Sequence, residues 1–163
     1  MAIVNKSGSV NKLTSVDSPN FAGYAQSATN GGVIHLIRDK VVVLATDNNN
    51  SIYRLARVPS NAVLKEIVYE NTALTGGTSY SLGIYDTPET NGGAVISAAV
   101  LASAVSLVAA STGFGSNGMA AVTVDNKEKK VFELAGLTTD PKKLVDIAFI
   151  ATTASTVAGT ISL

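Results

Sequence analysis

The stretch AVLKEIVYENTALTGGTSYSLGIYD, residues 62–86, carries the clearest structural pattern in the chain. Its second half places Tyr80, Leu82 and Ile84 at every second position, with serine or glycine between them. A period of two is typical of a β-strand that buries one face. Residues 62–86 therefore predict two strands joined by a glycine-containing connection, which together form the framework hairpin of a β-rich domain.

The first of these two strands mixes charged residues with apolar ones. Its charges are Lys65, Glu66 and Glu70, and they leave apolar residues on both faces. This pattern suits a strand near a sheet edge, or one whose second face meets another subunit. The three charged residues are therefore candidate edge or interface positions.

Further apolar runs bounded by turn residues lie on both sides of this hairpin. The turn signals include DNNN at 47–50, Pro59, and TPETNGG at 87–93. Strands are predicted over 33–39, 40–47, 51–58, 143–153 and 155–163. The last two are expected to form a C-terminal hairpin.

The region between the two hairpins is less regular. Alanine favours helices and valine favours strands, so a short helix over 98–103 and a strand over 105–110 are predicted. A further strand is expected over 120–124. Residues 129–137 have the best helical spacing, and Gly136 is placed to end that helix.

Residues 1–31 are rich in Ser, Asn and Gly and have no helical or strand period. Such a segment buries too little apolar surface to offset its own ordering entropy. Two interpretations stay open: a flexible tail, or an extended arm that lies on a partner. The candidate partner-binding residues of the arm are its scattered apolar side chains: Val10, Leu13, Val16, Phe21 and Tyr24.

Composition excludes several classes of protein. The 163 residues, of which 46% are hydrophobic and 6% aromatic, suffice for one domain with a core of Val, Ile, Leu and Ala. The chain has no cysteine, so neither a disulfide scaffold nor a thiolate metal site is expected. Twelve basic and twelve acidic residues cancel, and no basic stripe indicates nucleic-acid binding.

A membrane association is not expected either. The N-terminus has no sustained apolar run of the kind found in signal peptides. The charge-free run AVISAAVLASAVSLVAAS, residues 94–111, is interrupted by serines and contains more alanine than Leu, Ile and Phe together. A span needs about 20 strongly apolar residues, so this run indicates a buried pair of short elements.

Candidate catalytic residues are sparse. His35, the only histidine, lies in an apolar run and is expected to be a core or interface residue, since base chemistry needs a nucleophile and an orienting partner. Asp146 is a lone acid within a predicted strand and is expected to point to solvent. The glycine-rich run at 113–118 lacks the Lys-Ser/Thr of a phosphate loop. The sequence therefore predicts no enzyme, no cofactor and no metal site.

Several runs of the chain resemble a family of small structural proteins of tailed bacteriophages, typically encoded near the major capsid protein. The runs are VPSNAVLKEIVYE (58–70), GGTSYSLGIYDT (76–87), NGGAVI (91–96), KKVFELAGLTTDPKKLVDIAFIATT (129–153) and AGTISL (158–163). The resemblance implies a β-sandwich or jelly-roll domain that decorates or cements the outside of a capsid.

These observations define the expected protein. The fold class is all-β, a β-sandwich or jelly roll over 32–163 with one or two short helices and an extended N-terminal arm over 1–31. The expected function is a virion structural protein on the capsid surface, with the major capsid protein as partner and a homo-oligomer, a trimer by preference. Two alternatives stay open: a tail, fibre-base or spike component, and a carbohydrate-binding sandwich, although sugar platforms usually need exposed aromatic rings.

Overall fold

The computed structural model describes residues 5–7, 34–76 and 79–163. Within these ranges strands are the main regular secondary structure, and helical turns are short. In chain order the strands are β1 (Asn5–Ser7), β2 (Lys40–Val43), β3 (Ile52–Pro59), β4 (Val68–Asn71), β5 (Ser79–Asp86), β6 (Val95–Val105), β7 (Ser111–Asn117), β8 (Leu144–Thr153) and β9 (Gly159–Ser162). The helical elements are α1 (Val131–Leu134) and two 3₁₀ turns, Asn91–Gly93 and Val124–Asn126.

The strands form two sheets that share one core. The five-stranded sheet has the order β1-β3-β8-β5-β6, and the four-stranded sheet has the order β2-β9-β4-β7. Neighbours are antiparallel except for β1, which runs parallel to β3. The prediction of an all-β sandwich is confirmed.

Aromatic rings join the two sheets at the centre of the core. Tyr69 of β4 packs edge-on against Phe149 of β8, with ring centroids 5.4 Å apart. Tyr80 of β5 lies 6.4 Å from the same ring, and Tyr53 of β3 lies 6.1 Å from Tyr80. Such tilted contacts stabilise a core beyond its buried area, and here they fix the spacing of the sheets.

The predicted hairpins are wrong, although their strands exist. β4 belongs to the four-stranded sheet and β5 to the five-stranded sheet, so residues 62–86 cross from one sheet to the other. β8 and β9 are separated in the same way. Alternation shows that one face of a strand is buried, but it does not show which sheet the strand belongs to. Two strands in opposite sheets of a sandwich alternate in the same way as two strands of one hairpin.

Several predicted boundaries also change. Residues 34–39 are not a strand, and the predicted strand over 40–47 is limited to Lys40–Val43. The predicted helix over 98–103 is wrong because β6 spans these residues and pairs with β5 at Ser97 and Ala102, with a register shift between the two pairs. Tertiary pairing thus overrides the helix propensity of alanine.

Three further predictions are corrected in the same way. Residues 105–110 are mostly outside strands, and 120–124 contain turns rather than a strand. The helix predicted over 129–137 is reduced to the single turn of α1, Val131–Leu134. Of the first strand of residues 62–86, only Val68–Asn71 remains.

β5 is buried on both faces rather than on one. Tyr80, Leu82 and Ile84 face the core as predicted, but Tyr85 on the opposite face is also fully buried. β6 causes part of this burial, because its backbone lies against Gly83. A Cβ added at Gly83 would lie 2.2 Å from the carbonyl oxygen of Ser97.

We expect Gly83→Ala to destabilise the fold, because the added methyl group displaces the backbone of β6. The expected loss is about 2 kcal/mol of unfolding free energy, as for other overpacked sites. Urea denaturation measures it. Ser81→Ala, on the same face of the same strand, is the control and should have little effect; an unchanged midpoint for Gly83→Ala would show that β6 does not approach β5 this closely.

Candidate functional site

The main cluster of charged groups in the described chain lies on the outer face of the five-stranded sheet. Its centre is Asp146, whose side chain is 0% exposed. Asp146 Oδ2 accepts a hydrogen bond of 3.1 Å from Arg54 Nη1, and Oδ1 accepts one of 2.7 Å from Arg57 Nε. Asp146 does lie opposite the apolar face of β8, but the expectation that it points to solvent is wrong.

A β-bulge brings both arginines to this one carboxylate. Arg54 and Arg57 are three positions apart, so a regular strand would point them to opposite faces. The register of β3 with β8 shifts between Arg54 and Ala56, which leaves Leu55 as an extra residue. The bulge reverses the alternation, so both guanidinium groups lie on the outer face.

Arg54 also holds residues 87–94 against the outer face of the sheet through two hydrogen bonds. Its Nη1 donates to the carbonyl of Asp86 at 2.8 Å, and its Nη2 donates to the carbonyl of Gly93 at 2.7 Å. Gly93 has a φ of 72°, and a Cβ there would lie 2.3 Å from Nη2. Glycine is therefore required at this position both by backbone conformation and by the approach of the guanidinium.

The rim of the cluster balances its charge. Glu89, 63% exposed, lies 3.4 Å from Arg57 Nη2. Its own backbone N–H, and then Arg57, lower the pKa of the Glu89 carboxyl. Lys143 Nζ contacts Oδ1 of Asp86 as an ion pair, although the angle there does not meet hydrogen-bond geometry.

The arrangement is therefore neutral, with three cationic and three anionic side chains. The cations are Arg54, Arg57 and Lys143, and the anions are Asp86, Glu89 and Asp146. A buried arginine pair that holds a ligand anion would carry excess positive charge. The charges instead pair with one another, so the cluster is a structural device that anchors the loop 87–94.

We expect Asp146→Asn to be strongly destabilising, because it leaves two buried guanidinium groups facing a neutral side chain. Breaking a buried ion pair from one side costs roughly 3–5 kcal/mol. The matched control is Glu128→Gln, which breaks the exposed pair with Lys65 (3.0 Å) and should cost less than about 1 kcal/mol. Denaturant midpoints of the two variants provide the measurement, and equal midpoints would contradict the assigned role of Asp146.

Two buried tyrosines, one in the charged cluster and one in the core, have hydroxyl groups without a hydrogen-bond partner among the described residues. Tyr85 lies beneath Arg54, whose guanidinium carbon is 5.7 Å from the ring centroid, and Tyr80 lies in the core. Burial raises the pKa of each phenol to about 12. For Tyr85 the nearby Arg54 partly opposes this rise.

The raised pKa values make stability depend on pH in the alkaline range. The folded chain holds these phenol protons more tightly than the unfolded chain, whose tyrosines ionise near 10. Their contribution is complete below pH 10 and is lost as pH rises from 10 to about 12. We expect the urea midpoint to fall in this window, and Tyr85→Phe to reduce the fall.

At neutral pH, Tyr85→Phe should change stability by no more than roughly 1 kcal/mol, since it removes a hydroxyl that forms no described hydrogen bond. Tyr53→Phe is the matched comparison. Tyr53 donates a hydrogen bond of 3.1 Å to Asp47 Oδ2, so its loss should be destabilising. If Tyr85→Phe costs as much as Tyr53→Phe, the Tyr85 hydroxyl has a partner after all.

A second feature is an exposed apolar segment, residues 34–44. Ile34 is 80% exposed and Leu36 is 84% exposed. The segment is anchored at Asp39, which exchanges two backbone hydrogen bonds with Leu163 (3.2 and 3.0 Å), and by the pairing of β2 with β9 that follows. The large apolar side chains exposed along it are Ile34, Leu36, Ile37, Val42 and Leu44. These side chains form the candidate interaction surface.

The structure corrects the predicted position of His35, which lies in this segment. His35 is exposed, so its assignment to the core is wrong, and an interface role stays a prediction. The sequence did contain a signal: only the charged residues Arg38, Asp39 and Lys40 separate the apolar residues of 33–37 from the next apolar run. An apolar run of this length predicts a strand, but the same pattern occurs in an extended segment outside the sheets, and residues 34–39 are such a segment.

The other predicted site residues are only partly placed. Val10, Leu13, Val16, Phe21 and Tyr24 lie outside the described residues. Within the predicted arm, Asn5–Ser7 forms β1 and pairs with the chain's own β3.

The charged candidates of 62–70 are separated by the fold. Lys65 and Glu66 are exposed and lie outside the strands, and Lys65 pairs with Glu128. Glu70 belongs to β4, which pairs with both β9 and β7 and so lies one strand in from the edge of the four-stranded sheet. An interface role for the three residues stays a prediction.

Other kinds of site find little support among the described residues. No group of three or more His, Asp or Glu side chains there could hold a metal ion. No helix in the described ranges is long and apolar enough to cross a membrane. A shallow depression beside α1 contains Lys129 and Glu133 but no nucleophile paired with a base.

The described aromatic rings are also unsuited to a sugar platform. Every ring whose side chain is described is buried, namely Tyr53, Tyr69, Tyr80, Tyr85, Phe132 and Phe149. Stacking on a sugar needs an exposed ring face. The described residues therefore give the carbohydrate-binding alternative no support.

Comparisons of the chain with protein-family models, with curated proteins and with solved structures found no match.

Proposed function

We propose that this chain is a structural protein of a tailed bacteriophage particle that binds the outer surface of the capsid shell. The partner is the major capsid protein, and the chain acts as a homo-oligomer, a trimer by preference. Two things support the proposal: the sequence resemblance over residues 58–163, and the all-β sandwich that this resemblance implies.

The observation that carries the proposal is the exposed apolar segment 34–44. It comes two residues after the predicted arm 1–31 in the sequence, so the two proposed attachment elements are neighbours in the chain. Leaving a large aliphatic side chain in water forfeits roughly 1.5–3 kcal/mol relative to burying it. Ile34 and Leu36, both at least 80% exposed, would recover this free energy on a capsid surface.

The charges of the chain point to the same mode of binding. The chain has no net charge, and the buried arginines are paired inside the fold with Asp146. Apolar burial is only weakly dependent on salt, whereas interactions between exposed charges are screened. Attachment through segment 34–44 should therefore persist at high salt.

The first test is deletion of residues 1–31. Purified chain is mixed with capsid shells assembled without it, and binding is measured by co-sedimentation. The deletion should leave a folded domain, judged by circular dichroism, that no longer binds shells. Binding at full strength would show that the arm is not the attachment element.

The deletion of residues 1–31 also removes β1, so a second test keeps the chain at full length. The double variant Ile34→Asp/Leu36→Asp puts two charges on the exposed apolar segment and should reduce shell binding at least tenfold, since a loss of about 1.4 kcal/mol suffices. Val124→Asp is the matched control, because Val124 is also 80% exposed but lies in a 3₁₀ turn of another region. Equal binding by both variants would contradict the assignment of the surface.

Imaging of intact particles separates capsid attachment from a tail, fibre-base or spike location. Density at every capsomer junction supports the proposal, and density at a single vertex assigns the chain to the tail. A glycan array tests the carbohydrate alternative, and binding there with no density on the shell would overturn the proposal.

A further inference from the structure

The sequence contains three Asn-Gly steps, at Asn30, Asn91 and Asn117. In such a step the glycine nitrogen can attack the side-chain carbon Cγ of the asparagine, because glycine has no side chain to hinder the approach. A C–N bond forms, ammonia leaves, and a succinimide ring results. Water then opens the ring to aspartate or isoaspartate. Asn30 lies outside the described residues, so the structure bears on the other two.

The step at Asn91 lies in an exposed turn that leaves its reacting nitrogen accessible. Asn91 and Gly92 have φ values of 53° and 60°, and nothing lies within 4 Å of a Cβ added at Gly92. The Gly92 N–H forms no hydrogen bond with the described residues. The carboxamide is held by one described contact, from Nδ2 to Asp86 Oδ2 at 3.3 Å.

The step at Asn117 is chemically identical but structurally closed. Gly118 is buried, and its N–H donates a hydrogen bond of 2.8 Å to the carbonyl of Ile67. The carboxamide is also engaged, since Asn117 Oδ1 accepts a hydrogen bond of 2.8 Å from the Met119 N–H. Both reacting groups are therefore occupied, and reaction there requires a local opening of β7.

We propose that Asn91 and Gly92 form a self-modifying site, at which the folded chain converts Asn91 to aspartate or isoaspartate with loss of ammonia and uptake of water. The fold protects Asn117 from the same reaction. Aspartate or isoaspartate therefore accumulates at position 91 as the protein ages, within the loop 87–94 that Arg54 holds against the sheet.

The product changes the charge balance beneath the loop. A carboxylate at position 91 replaces an amide that donates to Asp86, so two carboxylates face each other at the former hydrogen-bond distance. The cluster gains one negative charge that Lys143, already in contact with Asp86, must share. The modification therefore loosens the loop that the neutral cluster holds.

The test is incubation of the folded full-length chain in mildly alkaline buffer, followed by peptide mapping with mass spectrometry. Deamidation adds the mass difference between a hydroxyl and an amino group, and the peptides report each asparagine separately. Asn91 should react at least about tenfold faster than Asn117, because opening at Asn117 costs a hydrogen bond and buried surface. In urea the two steps should react at similar rates.

Equal rates in the folded chain, or a faster reaction at Asn117, would overturn the proposal. The same conclusion would follow if the difference in rate between Asn91 and Asn117 were unchanged in urea, because the local sequence and not the fold would then cause it. Loss of ammonia without later uptake of water, joined to a Lys143 cross-link in the peptide map, would assign Asn91 to a different reaction and also overturn it.

The structural consequence has its own measurement. Asn91→Asp should increase amide hydrogen exchange in residues 87–94, and Asp86→Asn in the same chain should reverse part of that increase. Asn117→Asp is the matched control, because an aspartate there retains the Oδ1 that accepts from Met119. Unchanged exchange in Asn91→Asp would show that the modification does not loosen the loop.

Discussion

The contact of Asp146 with two arginines is the interaction on which the outer half of the structure depends. Arg54 and Arg57 are almost completely buried, and no buried guanidinium is tolerated without a counter-charge. One carboxylate serves both, so β3 and β8 must be in a single register at this point. That requirement accounts for the bulge at Leu55. It also accounts for the loop 87–94 that covers the arginines and for the absence of a side chain at Gly93.

This interaction gives the five-stranded sheet a second covered face. An antiparallel sheet in a sandwich usually packs one face on the core and leaves the other in water. Here residues 87–94 and β6 cover the outer face, and the charges beneath them neutralise one another. Arg54, Arg57 and Asp146 therefore contact one another in the interior, while the large apolar side chains of segment 34–44 are exposed.

Alternation identified β5 from the sequence, and apolar runs bounded by turn residues identified β3 and β8, because both patterns are local properties of the chain. The partners of these strands are not local, which is why both predicted hairpins were wrong. The bulge was also hidden, since a spacing of three places Arg54 and Arg57 on opposite faces of any regular strand. The sequence does contain one signal. Two positive charges, at 54 and 57, and one negative charge, at 146, lie within otherwise apolar strands, and charged residues are rarely buried unless they are paired.

The same reasoning separates the rigid part of the molecule from the part proposed to attach. Buried ion pairs often add little net stability, but they penalise any arrangement that separates them. The loop 87–94 is thereby held in one conformation, together with the turn that exposes Asn91. Segment 34–44 is joined to the sandwich by the pairing of β2 with β9 and by the backbone hydrogen bonds of Asp39, and its exposed large side chains lie in water at a cost that folding alone does not recover. The proposed partner would recover that free energy by covering these side chains, and a rigid sandwich behind them lowers the entropy lost on binding.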